Sequence, residues 1–241
     1  MLSAQEIVSV WEWGRDREAS ERALGFLAVA YPGASREELE NLTIGRRDAR
    51  LLAMRESTLG RLLQGSTECP NCGERLEYTL DSRDLRVGDG EPGNEHELES
   101  DGYRVRFRMP NSHDLISASR CADTSKARLD LLRHCVVEAR HKDKPVDAET
   151  LPESLTTSLA GRMEDLDPQA ELLLGLACTA CDHRWAIILD IASFFFTEVS
   201  ALAKRLALEV HTLARAYGWS ESDILDMSPA RRSLYLEMAA G

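Results

Sequence analysis

Apolar residues in the first sixty positions recur at three- and four-residue spacing, the period of helices that bury one face. Ser3 and Glu6 form a capping box, with Ile7, Val8, Val10 and Trp11 as the apolar positions of a short first helix. A second helix is predicted from about Arg17 to Ala30, with Ala23, Leu24, Phe26, Leu27 and Ala30 inward, ended by Pro32 and Gly33. Ser35 with Glu38 caps a third, and a fourth runs from about Arg46 to Leu59 with Leu51, Leu52, Met54 and Leu59 on its apolar face.

From Leu62 the pattern changes to short apolar runs, "LLQGSTECPNCGERLEYTL" and later "AELLLGLACTACDHRWAIILDI", each reading as strand, turn, strand. Between them, "VGDGEPGNEHELESDG" (Val87 to Gly102) is acidic, without Lys or Arg, and reads as a solvated loop. "YRVRFRMP" alternates Tyr103, Val105, Phe107 and Met109 against three arginines, the mark of a half-buried strand. Helical spacing then returns. Ser112 is expected to cap a helix over His113 to Ser119, and Ser125 to start one through Leu129, Leu132, Val136 and Val137. "AETLPESLTTSLAGRMEDL" supplies another, broken by Asp167 and Pro168. A long amphipathic helix is predicted from about Ile191 to Tyr217, ending at Gly218. Two short capped pieces follow, Ser220 with Asp223 before "ILDM" and Ser228-Pro229 before "ARRSLYLEMA".

Composition narrows the class. An apolar fraction of 43% and a charged fraction of 29% over 241 residues suit a folded chain with a sizeable core. Glu6, Glu12, Asp16 and Glu18 deny the first thirty residues the character of a signal peptide. The run from Trp185 to Phe196 is interrupted by Asp190 and too short to cross a bilayer as a helix. The expectation is a soluble protein, cytoplasmic in the producing cell. A formal charge of -12 opposes non-specific contact with nucleic acid, which needs a surplus of Lys and Arg on some face. The longest basic runs are the pairs Arg46-Arg47 and Arg231-Arg232.

In a reducing compartment six cysteines point to metal or plain burial before disulfides. Cys69, Cys72, Cys178 and Cys181 form two C-x-x-C turns, each between strand-like segments. Such a turn presents two thiolates from one tight loop, and two turns complete a tetrahedral shell for Zn2+. Gly73 supplies permissive backbone after the first turn, where the second has Asp182. A redox role is the weaker alternative, because redox C-x-x-C pairs sit where a strand feeds a helix N-terminus. Unliganded buried cysteines are another, and His183 could replace one thiolate, although a polar surface or outer role suits it better. Four thiolates leave no open coordination position, so the metal is expected to be structural. Cys121 and Cys135 read as small buried hydrophobes. His96, His113, His134, His141 and His211 have no metal-ligand spacing, and no nucleotide, nucleophile-elbow or zinc-protease motif occurs.

The closing stretch, Leu213 to Ala239, has the outline of helix, short helix, helix. Three uses stay open for it. Tyr217, Trp219, Ile224, Leu225 and Tyr235 could pack into the chain's own core or anchor a protein partner. A helix-turn-helix contact with DNA phosphates through Arg231 and Arg232 is weaker, since acidic residues balance the basic ones and the turn is not a tight glycine turn.

Taken in order, "WEWGRDREASERALGFLAVAYP", "LTIGRRDARLLAMRESTLG", "CPNCGERLE", "RFRMPNSHDL", "DPQAELLLGLACTACDHRW" and "YGWSESDILDMSPARRSLYLEM" resemble one family. The sequence is similar to the zinc-ribbon proteins encoded in baseplate clusters of contractile phage tails and phage-like injection systems, including the T-even phage baseplate hub or hub-assembly protein. The family's closing pattern falls on Tyr217, Gly218, Trp219, Ile224, Leu225, Arg231 and Arg232. The resemblance implies a structural component or assembly factor whose partners are other baseplate or tail proteins.

The sequence therefore predicts a non-enzymatic α+β protein built on a four-cysteine zinc ribbon of two β-hairpins. Residues 1–61 are expected as an N-terminal helical unit, 62–82 and 170–191 as the ribbon, 83–169 as an insertion and 192–241 as a C-terminal helical unit. A zinc-ribbon nucleic-acid-binding regulator with a helix-turn-helix-like C-terminal segment is the alternative.

Overall fold

The computed structural model describes residues 1–87, 93 and 95–240. Four helices open the chain: α1 (Ala4–Gly14), α2 (Ala19–Ala30), α3 (Arg36–Glu40) and α4 (Ile44–Leu59). Capping boxes at Ser3/Glu6 and Ser35/Glu38 start α1 and α3 as the sequence predicts, and Thr43 caps α4. The inward set of α2 is Ala23, Leu24, Phe26 and Leu27, while Ala30, expected inward, is exposed in the last turn.

The chain then forms β1 (Leu62–Glu68) and β2 (Arg75–Asp81), an antiparallel hairpin, and far downstream a second, β7 (Leu173–Ala177) with β8 (Arg184–Ile188). Between them lie β3 (His96–Ser100), β4 (Tyr103–Phe107), α5 (Ser112–Ser119), α6 (Thr124–Cys135), β5 (Val136–His141), β6 (Lys144–Pro145) and α7 (Glu153–Leu166). The strands β3-β4-β5-β6 make one antiparallel sheet in that order. The chain closes with α8 (Ile191–Tyr217), α9 (Glu221–Leu225) and α10 (Pro229–Ala240). Gly218 ends α8 in the left-handed region at φ 70°, and Ser220 with Asp223 boxes α9.

The β3–β6 sheet corrects two expectations. The acidic stretch read as loop holds β3 at its end, and 88–92 and 94 of that stretch lie outside the described residues. Its glutamates are there for a partner: Glu97 stands opposite Arg106 and Glu99 opposite Arg104 in the register with β4. Cross-strand charge pairing offsets the low β-propensity of glutamate, and that compensation is invisible without knowing the neighbour. Likewise Val136 and Val137, read as the end of a helix, begin β5, where β-branched residues suit extended backbone. On the covered face Val105, Phe107 and Ala139 meet Leu132, Leu155, Leu159 and Met163 of α6 and α7. The other face carries a ladder of arginines and glutamates in water, such as Arg106 between Glu95 and Glu138.

Two caps also differ from expectation. Asn111 caps α5, with Ser112 buried as its first residue, and Asp123 caps α6 instead of Ser125. Asn and Asp side chains reach the second and third amides as well as serine does, so a run such as Asn111-Ser112 is ambiguous in sequence.

The largest core joins the ends of the chain. α8 lies against α1, α2 and α4, and Phe195 stacks on Phe26 with ring centroids 4.3 Å apart. Leu63 and Leu174 root the two hairpins in the same core, flanked by Leu172 and Leu189. Polar ties accompany this packing. Asp167 accepts from the Gly45 N–H at 2.9 Å, supplying an N-terminal partner to α4 from 122 residues further along the chain. A Cβ on residue 45 would lie 1.8 Å from the Asp167 carboxylate, so glycine leaves the room that contact needs. Next to it burial pushes the Asp48 carboxyl up to about 6, against the pull of Arg47 at 2.7 Å.

Candidate metal centre

Each hairpin narrows to a C-x-x-C turn, and both turns fold by the same two hydrogen bonds. In the first, the Cys69 N–H donates to the Glu74 carbonyl at 2.8 Å and the Gly73 N–H to the Cys69 carbonyl at 2.9 Å. In the second, the Cys178 N–H donates to the His183 carbonyl at 2.8 Å and the Asp182 N–H to the Cys178 carbonyl at 3.0 Å. The geometry needs a positive φ four residues after the first cysteine: 76° at Gly73 and 56° at Asp182. Glycine enters that region freely, and aspartate is one of the few residues with a side chain that tolerates it.

The two turns therefore differ in a measurable way. A Cβ at residue 73 meets nothing within 4 Å, so Gly73→Ala carries only the backbone cost. We expect it to destabilise by ~1–2 kcal/mol, and Asp182→Gly to stabilise by up to ~1 kcal/mol. Urea unfolding midpoints of the two variants against the parent check both signs.

The turns face each other and bring together side chains separated by over a hundred residues. The Sγ atoms of Cys69 and Cys181 are 3.7 Å apart, those of Cys72 and Cys178 are 3.6 Å apart, and all four lie within 4.8 Å of one another. A disulfide would need sulfurs at ~2.05 Å, so these are free thiols arranged as a cluster. Four sulfurs held ~2.3 Å from a tetrahedral centre lie about 3.8 Å apart, close to the 3.7 and 3.6 Å separations of these two pairs. The donor set thus fits a soft or borderline divalent ion such as Zn2+, with Cys69 and Cys178 each 2% exposed beneath the outer pair.

Protons are unequally held in the cluster. The Asn71 amide first, then the His183 backbone N–H and the neighbouring thiols, hold the Cys181 thiol down to about 6. At Cys72 the Glu74 backbone N–H pulls downward, but the neighbouring sulfurs of Cys181, Cys178 and Cys69, together with desolvation, push the thiol up to about 12. A cation binding all four as thiolates must displace the remaining protons, so affinity falls as the solution is acidified.

The other cysteines stand apart. Cys135 is fully buried, and desolvation pushes its thiol up to about 12; Cys121 is half-buried and hydrogen-bonds the Asp123 carbonyl. His183 is exposed and stacks on Trp185, with ring centroids 5.8 Å apart. Among the described residues Cys69, Cys72, Cys178 and Cys181 are the grouping able to hold a metal ion. Asn71, whose Nδ2 lies 3.5 Å from Cys181 Sγ on the opposite turn, is a contributor that sequence reading missed. Its only signal there was its place inside the knuckle.

The C-terminal residues separate into two groups. Ile224, Leu225 and Arg232 face inward: Ile224 is fully covered, Leu225 joins the main core, and Arg232 bonds Glu209 at 2.9 Å. Those three are covered by the chain's own side chains. Tyr217, Trp219 and Tyr235 form a half-buried ring cluster, Trp219 stacked on Tyr217 at 4.4 Å and edge-on to Tyr235 at 4.8 Å. Exposed Arg231 lies over the Tyr235 ring at 5.6 Å. Nearby a groove of about 1220 Å³ opens between the start of the chain, α8 and α10. Leu2, Leu59, Leu62, Leu202 and Leu236 line it, and its Arg55 and Arg232 are paired to Glu198 and Glu209. Among the described residues no helix is long and apolar enough to cross a membrane.

The chain matches no curated protein and no solved structure. Residues 30–196, which include both hairpins and everything between them, match the family described as T4 bacteriophage base plate protein. That match spans well over half of the chain, and the protein therefore belongs to the T4 bacteriophage base plate protein family.

Proposed function

We propose that this protein is a structural component or assembly factor of the baseplate hub in a contractile phage tail or phage-like injection system. In this reading it is non-enzymatic, its fold is tied by one structural Zn2+, and it binds other tail proteins through its helical parts. The observation that carries the reading is the closed set of four thiols on two remote hairpins, in a chain of baseplate family. Cys69, Cys72, Cys178 and Cys181 would be the ligands of a zinc ribbon formed by 62–82 and 170–191. A four-thiolate shell offers no site for water or substrate, so the ion supplies a mechanical tie between hairpins. Residues 1–61, 83–169 and 192–241 are then the helical unit, the insertion and the C-terminal unit around that tie.

Docking on a tail partner is assigned to Tyr217, Trp219, Tyr235 and Arg231, which present aromatic and cationic surface of the kind that anchors interfaces. Ile224, Leu225 and Arg232 are buried within the chain and are not part of that surface. The protein would be cytoplasmic in the producing cell, acting in or beside the assembling baseplate. A nucleic-acid-binding regulator is disfavoured, because Glu209 draws Arg232 inward and leaves Arg231 as the exposed member of the pair.

Co-expression of the tagged full chain with the sheath, tube, spike and hub proteins of its own tail cluster tests the proposal. We expect at least one baseplate component to co-purify, and Trp219→Asp to reduce its recovery while metal content is unchanged. Recovery of no baseplate component would overturn the proposed role.

A further inference from the structure

The two knuckles correspond residue for residue, Cys69-Pro70-Asn71-Cys72 with Cys178-Thr179-Ala180-Cys181. Their backbone donors are matched too: the Glu74 N–H serves Cys72 and the His183 N–H serves Cys181. The match breaks at the third position. Asn71 reaches across to Cys181 with its Nδ2 at 3.5 Å, whereas Ala180, its counterpart, has no side-chain donor to return to Cys72.

We infer that Asn71 is a positioning residue that shields the Cys181 sulfur, so that the metal site opens from its Cys72 side. The inference rests on the metal-binding reading above. A thiolate that accepts an additional N–H bond gives up electron density to the donor, and its nucleophilicity falls. Burial limits the choice of attacked sulfur to the outer pair, since Cys69 and Cys178 are each 2% exposed. Between the outer two, Cys72 is both the more exposed and the one without the cross-knuckle donor. Attack there converts a thiolate ligand into a neutral thioether: the sulfur forms a bond to carbon, and the leaving group departs with its electron pair. Thioether is the weaker ligand for a borderline divalent ion, so the shell opens at that corner first.

The test uses the zinc-loaded full chain, with metal content measured on the same sample, under limiting iodoacetamide. Iodide is the leaving group, and mass spectrometry locates the modified cysteines over time. We expect Cys72 to be modified first in the parent. Asn71→Ala should raise the rate at Cys181 about fivefold, the scale of one modest hydrogen bond, and leave Cys72 unchanged. The reciprocal Ala180→Asn should slow Cys72. General loosening of the knuckles would instead raise all four rates together and would overturn the inference. So would a fully zinc-loaded Asn71→Ala whose Cys181 reacts no faster than in the parent. A parent chain that holds no zinc overturns the metal reading itself, and this inference with it.

Discussion

Cys178→Ser should abolish stoichiometric metal binding and lower the unfolding temperature by ~8–20 °C. The size follows from what the cluster ties together. Cys72 and Cys178 are separated by 106 residues, and cross-linking a loop of about that length restricts the unfolded chain by ~4–5 kcal/mol. For a chain of this size each kcal/mol moves the midpoint by ~2–4 °C. Cys178 is itself in the core, so part of its loss could come from packing. Cys72→Ser, at an exposed position, separates the two effects: it should lose metal equally and unfold at a similarly lowered temperature. Chelation of the parent should reproduce the shift, and Cys135→Ser should leave metal content unchanged. Differential scanning calorimetry with metal analysis on each sample gives the readout.

Arg55→Ala should destabilise the chain by ~3–5 kcal/mol, the scale for breaking a buried pair from one side. The Arg55 side chain is 2% exposed and makes a two-pronged bond to Glu198 of α8, at 2.9 and 2.6 Å. Its remaining N–H groups donate to the carbonyls of Gly60 and, at 2.7 Å, Leu62. One guanidinium thus satisfies the end of α4, the entry to β1 and a carboxylate of α8, at the point where helices hand over to the first hairpin. Removing it strands two carbonyls and a partly covered charge. Glu198→Gln, which keeps a neutral acceptor, should cost less, ~1–2 kcal/mol. Urea titration of both variants measures the difference, and an Arg55→Ala loss below that of Glu198→Gln would refute the assignment.

Much of this was legible in the sequence, and the reasons differ by element. Capping boxes at Ser3, Ser35 and Ser220, and Gly218 as a stop, are local chemistry that tertiary context has little power to change. The paired C-x-x-C turns were legible because their spacing repeats and strand-like residues flank each of them. β3 and β5 were not, since Glu97, Glu99 and the strand from Val136 depend on partners across a sheet whose order no local pattern encodes. Arg55 was missed for a related reason: a charged residue on a helix reads as solvated until the carboxylate that faces it, 143 residues away, is known. Asn71 escaped because its effect depends on which knuckle it faces. Core packing was one reading of Ile224 and Leu225, but helical spacing alone cannot say which residues of a C-terminal segment, Arg232 among them, the rest of the chain covers.

The most direct measurement is the zinc content of the purified full chain, taken with the count of thiols that react before and after a chelator is added. The account predicts one zinc ion per chain, Cys69, Cys72, Cys178 and Cys181 all reacting far more slowly before the metal is withdrawn than after, with Cys72 first among them, and a lowered melting temperature afterwards. A chain free of metal, with those four thiols open to reagent from the start and the same melting temperature in chelator, would contradict it.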